Sequence, residues 1–280
     1  MSDPAGQPAR IQPHGFLIGL SPEWRIVRAS ANIGEFLGHA GPSPIGQDIV
    51  QLLGDAAVHT LRNRLSLLRD PLGSARAFAL HVQGAARPID VAMHMVGSDV
   101  IVEGQNSTGQ ESGDPIGLVR ALAARLDGKQ DQQAMLAEGA RQLRALTGFD
   151  RVTLFRWNSD GVAEIAAHCA RGDLAAAPTS LTGELRLIVD AGADGIAIEP
   201  ATKTVAFGRS LLKNATAEER EAMGAAASIV RFPLNASGTD WGVAVCLNQT
   251  PRRLGLERFA SAELLSDLLA LRIALLEANH

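Results

Sequence analysis

The chain has 280 residues, 46% apolar and 20% charged, with 30 acidic against 26 basic side chains and a net charge of −4. Those figures describe one large or two modest globular domains and exclude a disordered chain. The balanced charge gives nucleic acid no basic face, no eighteen apolar residues run together to span a membrane, and residues 1–10 contain no signal-peptide core. Cys169 and Cys246, the only cysteines, are too few for a disulfide framework or a four-ligand zinc site, so a cytoplasmic protein is expected. The chain has no tyrosine.

Phe16-Leu-Ile and Trp24-Arg-Ile-Val flank Ser21-Pro22 and predict a hairpin. A short helix from Asn32 to Leu37 should stop at Gly38. Ile49, Leu52 and Leu53 make one small apolar face, and Val58, Leu61, Leu65 and Leu68 a second at helical spacing. Three strands are predicted next, over Ala75–Gln83, Ile89–Val96 and Val100–Glu103. Residues 105–115, rich in Gly, Ser and Asn, read as a linker. Beyond it, one helix is predicted from Ile116 to Thr147, weak at Asp127-Gly-Lys-Gln.

Arg151–Trp157 and Val162–Cys169 flank Asn158-Ser-Asp-Gly161, and Ser228–Leu234 and Trp241–Leu247 flank Asn235–Asp240, so two hairpins are expected. Between them lie a strand at Leu185–Val189 and a helix from Thr216 to Met223. The last helix, Leu256 to about Asn279, carries two apolar rows. Leu264, Leu268, Leu271 and Leu275 form one, and Leu265, Leu269, Ile273 and Leu276 the other. A surface helix needs a single face, so the first row points to a homodimer, with a broad single face as the alternative.

Ile11-Gln-Pro-His-Gly15, with its hairpin and short helix, resembles the opening of the PAS domain of bacterial phytochromes. Leu146–Val152, Arg171-Gly-Asp-Leu174, Arg186–Asp190, Ser210-Leu-Leu-Lys213 and Trp241-Gly-Val-Ala-Val-Cys246 are similar, in order, to segments of their GAF domain. The resemblance implies an α+β chain of two domains, each an antiparallel sheet flanked by helices. Residues 1–15 would be an N-terminal arm, 16–104 the PAS domain, 105–115 the linker and 116–280 the GAF domain ending in a long dimerisation and signalling helix.

The family binds a linear tetrapyrrole in its GAF pocket, and here the resemblance fails at the pocket. Residues 1–10 hold no cysteine for attachment. Leu247 and Asn248 stand where the family has histidines, Phe155 stands for a tyrosine, and about twenty positions are deleted between Leu174 and Leu185. Lys213 takes the place of a propionate-binding arginine, and Ser228 is a further pocket position. No cofactor is therefore expected, since each unpaired buried polar group of a bilin costs about 1–3 kcal/mol.

The expectation is a non-enzymatic, chromophore-free sensor that dimerises through its terminal helix and passes a signal to a downstream protein or kinase domain. The alternative is a bilin- or other small-ligand-binding photoreceptor input domain of a histidine kinase. Leu276-Glu-Ala-Asn-His280 resembles the start of a kinase phosphoacceptor box, making His280 an acceptor if the chain continues. Nucleotide-loop, serine-hydrolase and zinc-protease motifs are absent.

His168 and Cys169 are neighbours on one strand and face opposite ways, which disfavours a catalytic pair. Glu218, Glu219 and Glu221 read as a solvated helix start. His14 reads as part of a turn, and His59, His81 and His94 carry no haem signature. A redox switch between Cys169 and Cys246 stays a minor reading.

Overall fold

The computed structural model describes residues 9–70, 73–109, 114–128, 131–172, 181–201, 209–236 and 238–278. In chain order the elements are β1 (Arg10–Ile11), β2 (Phe16–Leu20), β3 (Ile26–Ser30), α1 (Ile33–Leu37), α2 (Ile49–Leu53), α3 (Asp55–Ser66), β4 (Ala75–Leu80), β5 (Ile89–Val96) and β6 (Asp99–Asn106). They continue as α4 (Pro115–Asp127), α5 (Gln132–Thr147), β7 (Arg151–Trp157), β8 (Ala163–Ala170), β9 (Arg186–Ile188) and β10 (Ile196–Glu199). The last four are α6 (Ala217–Met223), β11 (Ser228–Ala236), β12 (Thr239–Asn248) and α7 (Leu256–Ala278). Two compact units result. The first takes the chain up to Gly109 together with Ala193–Asn214; the second takes Gln110–Gly192 and the chain from Ala215 onward.

In the first unit the strand order is β1-β10-β3-β2-β6-β5-β4, all neighbours antiparallel. Alternation divides β2 between two cores. Phe16, Ile18 and Leu20 face α1–α3 and pack with Phe36, Leu52, Val58 and Leu61. Leu17 faces the other way, into a smaller cluster of Ile11, Ile101, Ile198 and Leu212. Asp48 starts α2 by accepting from the Val50 N–H at 2.9 Å, a cap that satisfies one of the helix's orphan donors.

Several expectations change here. The strands β1 and β10 were not anticipated, because both are short and they pair with each other across some 185 residues of chain. Residues 193–214, assigned by sequence to the second domain, belong to the first unit. Trp24 lies outside the hairpin strand, at φ 63°, and Leu68 lies beyond the end of α3. The strand β6 runs to Asn106, into the expected linker.

In the second unit the order is β8-β7-β12-β11-β9, again antiparallel. The helix expected from Ile116 to Thr147 is two helices. Gly128 ends α4, and Asp131 caps α5 by accepting from the Ala134 N–H at 2.8 Å. Gly148 closes α5 at φ 69°, a left-handed conformation that glycine adopts without strain.

One face of this sheet packs on α5 and α7, where the Phe232 and Phe259 rings lie 5.3 Å apart. The buried side of α7 is the row Leu265, Leu269 and Ile273. Its last turn is tied to the sheet and to α5 through Glu277, which accepts from Trp241 Nε1 at 3.0 Å and from Gln132 Nε2 at 3.1 Å.

Candidate functional site

The other face of the second sheet is where the pocket expectations fall. Register and alternation put Phe155 of β7, Val243, Val245 and Leu247 of β12, Ile229 of β11 and Ile188 of β9 on this face. All six are buried in one cluster, closed by Met223 from α6 together with Ala191 and Ala215. Leu247 sits directly across from Ile229, which in turn faces Ile188. Its side chain has no donor or acceptor, so a polar ligand ring would gain nothing from this position.

Polarity on the same face is concentrated in a row one step along the strands. Arg231 of β11 is paired directly with Arg186 of β9 and with Val245 of β12. Two like charges opposite each other in a ladder repel, and both are buried, with 8% and 6% of their surface exposed. Glu219 of α6 resolves the conflict. Arg186 donates to it twice, Nε to Oε1 at 2.7 Å and a terminal nitrogen to Oε2 at 2.9 Å, a bidentate fork.

Arg231 reaches Glu219 at 3.5 Å and donates to Thr182 Oγ1 at 2.8 Å. Burial works against the charge on Glu219, but the Arg186 fork, the Thr216 N–H and the Arg231 charge overcome it and hold the carboxyl at about 2. Burial lowers Arg231, with Glu219 opposing the shift and Arg186 adding to it. Arg231 Nε has no hydrogen-bond partner among the described residues.

Glu219 is held in place by its own helix start. Thr216 Oγ1 accepts the Glu219 N–H at 3.1 Å, and Glu219 Oε2 accepts the Thr216 N–H at 3.0 Å, a closed capping box. The acidic helix start was read as solvated. For Glu219 that is corrected: its carboxylate turns inward, because two guanidiniums wait there.

Other expected site residues lie elsewhere. Ser228 precedes Ile229 and therefore points away from the apolar face. Its hydroxyl donates to the Val189 and Thr250 carbonyls and accepts the Arg252 N–H. Lys213 belongs to the first unit, where it makes a β-bridge with Ile11. Leu264, Leu271 and Leu275 are 44%, 48% and 56% exposed, and Leu268 is half-buried. His280 lies outside the described residues.

The cysteine switch does not form in this fold. Cys169 and Cys246 both pair with Val152, from opposite sides, so two strand spacings of about 4.8 Å each separate them, beyond disulfide reach. Burial also pushes the Cys246 thiol up to about 12, only partly offset by Thr147. His168 is exposed and Cys169 half-buried on the alternate face. Arg186 and Arg231 escaped the sequence reading as a pair; the signal was an arginine alternating with isoleucine in each of two strand runs.

Residues 3–104 match the PAS_2 family model, a PAS fold. The chain is 23% identical to cyanobacterial phytochrome B of Nostoc sp. over 99% of its own length and 40% of that protein's. It is also 23% identical to phytochrome-like protein Cph1 of Synechocystis sp., over 88% of this chain and 37% of that one. It thus spans about two fifths of the length of these relatives.

Among solved structures it resembles the chromophore-binding domain of the bacteriophytochrome RpBphP3 from R. palustris. The TM-score is 0.80 at 21% identity, over 99% of both chains. A longer structure of the same bacteriophytochrome gives 0.82, over 99% of this chain and 60% of that one. With its seven- and five-stranded antiparallel sheets and long last helix, the chain has the PAS–GAF fold of the bacteriophytochrome chromophore-binding domain, and its first part matches the PAS_2 family model.

Proposed function

We propose that the chain is a light-independent regulatory module of the phytochrome type, which has given up bilin and works through protein–protein contact. The carrying observation is the apolar cluster around Phe155 and Leu247, which fills the sheet face with hydrocarbon in place of hydrogen-bonding groups. The Arg186–Glu219–Arg231 network supports the same reading. Cations suited to a ligand carboxylate are already engaged by a carboxylate of the chain itself. The test is an absorption spectrum after co-expression with a biliverdin-producing enzyme. Only the protein band is expected; a red or far-red band that responds to red light would overturn the proposal.

The signalling surface in this proposal is the outward row of α7. Leu264, Leu271 and Leu275, with Leu268 between them, present an apolar stripe beside the buried row, which fits a second copy of the same helix. A change in that helix pair would then reach a downstream signalling protein or kinase domain. Sedimentation should give a dimer whose affinity falls when leucines of the stripe become glutamate.

A second reading has one observation in its favour: the near-complete match to a chromophore-binding domain, 99% of both chains. In that reading the module is the input domain of a histidine kinase and retains a bilin or another small ligand. The same spectrum decides between the two.

A further inference from the structure

We infer that Glu277 is a releasable clasp, which keeps residues 274–278 of α7 docked on the second sheet and, when opened, sets them free. Apolar anchoring of this helix stops before its end. Leu265, Leu269 and Ile273 are buried, but none of residues 274–278 is, and Leu276 is only half-buried. A segment with few buried apolar contacts opens at the low end of a protein's stability range, so its hold on the sheet must be polar.

One oxygen provides that hold. Glu277 Oε1 accepts from Trp241 Nε1 of β12 at 3.0 Å and from Gln132 Nε2 of α5 at 3.1 Å. The Arg156 guanidinium of β7 approaches the same oxygen to 3.6 Å and stands 6.0 Å from the centre of the Trp241 ring. An exposed ion pair contributes little, so the two hydrogen bonds to the carboxylate dominate. Three elements converge on a single acceptor, and its loss opens all three contacts together.

The donors make the clasp a link between the sheet and the outer face of α7. Arg156 directly follows Phe155 in β7, and Trp241 precedes Val243 by two residues in β12, so the clasp is mounted on two strands that carry the apolar cluster. On the helix, Glu277 lies two residues beyond Leu275, which places it about 200° around the axis. Clasping therefore turns Leu271 and Leu275 outward, where they are exposed. A shift between β7 and β12 would reach the exposed row through Glu277, whatever that row meets.

Glu277→Ala removes the acceptor. Amide hydrogen exchange at Leu275, Leu276 and Ala278 should accelerate about tenfold or more, with the Leu265–Ile273 amides unchanged. Glu277→Gln keeps a carbonyl oxygen and removes the charge, and should stay within about threefold of the unaltered chain at the same amides. No acceleration in Glu277→Ala would overturn the inference. Equal acceleration in both variants would also overturn it, by making charge rather than the shared acceptor responsible. So would acceleration spread evenly over Leu265–Ala278, which would make Glu277 a general support of the helix. Trp241→Phe removes one donor and keeps an aromatic ring; about threefold acceleration at the three amides is expected, and none would refute the clasp.

Discussion

Glu103 of the first unit and Glu219 of the second are both carboxylates turned inward against a sheet, but their surroundings differ in kind. Among its described contacts, Glu103 accepts from two peptide N–H groups and a hydroxyl, beside a neutral imidazole. Glu219 sits between two guanidiniums that face each other across a strand pair. Loss of the first leaves the donors of residues 210–212 unmet, while loss of the second leaves uncompensated positive charge. A buried acid can therefore act as a latch or as a counterion, and the partners decide which.

The largest expected effect comes from Glu219→Ala, which strands Arg186 and Arg231 against each other. It should destabilise the second unit by about 4 kcal/mol. Denaturant unfolding can read this separately for each unit, because Trp157 and Trp241 report the second and Trp24 the first. Replacing the whole network, Arg186→Met with Glu219→Leu and Arg231→Met, should cost far less, about 1 kcal/mol. Equal losses from the two designs would erase the distinction between counterion and latch.

Acid should separate the units next. In the first unit His94 titrates at about 4 when folded against 6.5 unfolded, so the unfolded state binds the extra proton. Stability is full above 6.5 and falls by up to about 3 kcal/mol as pH drops to 4. In the second unit Glu219 has a folded value of about 2 against 4.5, so its contribution, also up to about 3 kcal/mol, disappears between pH 4.5 and 2. The Trp24 signal should change at higher pH than that of Trp157 and Trp241. His94→Asn should abolish the earlier step.

A smaller effect, about 2 kcal/mol, is expected for Gly15→Ala, whose new methyl group meets the Gly104 carbonyl oxygen and Leu212. Thermal unfolding should show the loss in the first unit alone. The smallest change belongs to Leu271→Glu with Leu275→Glu, on the exposed row of α7. Stability of the second unit should stay within about 0.5 kcal/mol, while sedimentation shifts from dimer to monomer. A dimer that survives both glutamates would remove the stripe as its interface.

Local chemistry made much of this fold legible. Asn158–Gly161 marks the turn between β7 and β8, Thr216 and Glu219 mark the start of α6, and of the two rows of α7 Leu265, Leu269 and Ile273 are buried and Leu264, Leu271 and Leu275 exposed, with Leu268 and Leu276 half-buried. What stayed hidden depends on distance along the chain. Nothing in Val102-Glu-Gly104 announces that Glu103 meets Ser210, 107 residues away. Nor does the Ile196–Glu199 run announce that it joins a sheet begun near residue 10. Family alignment placed Lys213 in a pocket, whereas the chain had already left the second unit at Ala193 and returned only after Asn214.

That excursion has a consequence for how such modules are inherited. The first unit is not a contiguous stretch of coding sequence: β10 and residues 210–212, which bond to Glu103, are encoded within the body of the second. A recombination event that copied residues 1–109 alone would deliver a sheet with an open edge at β3 and Glu103 without those three partners. A graft of the first unit must therefore carry residues 193–214, which interrupt the sequence of the second, and cannot be cut as one contiguous stretch.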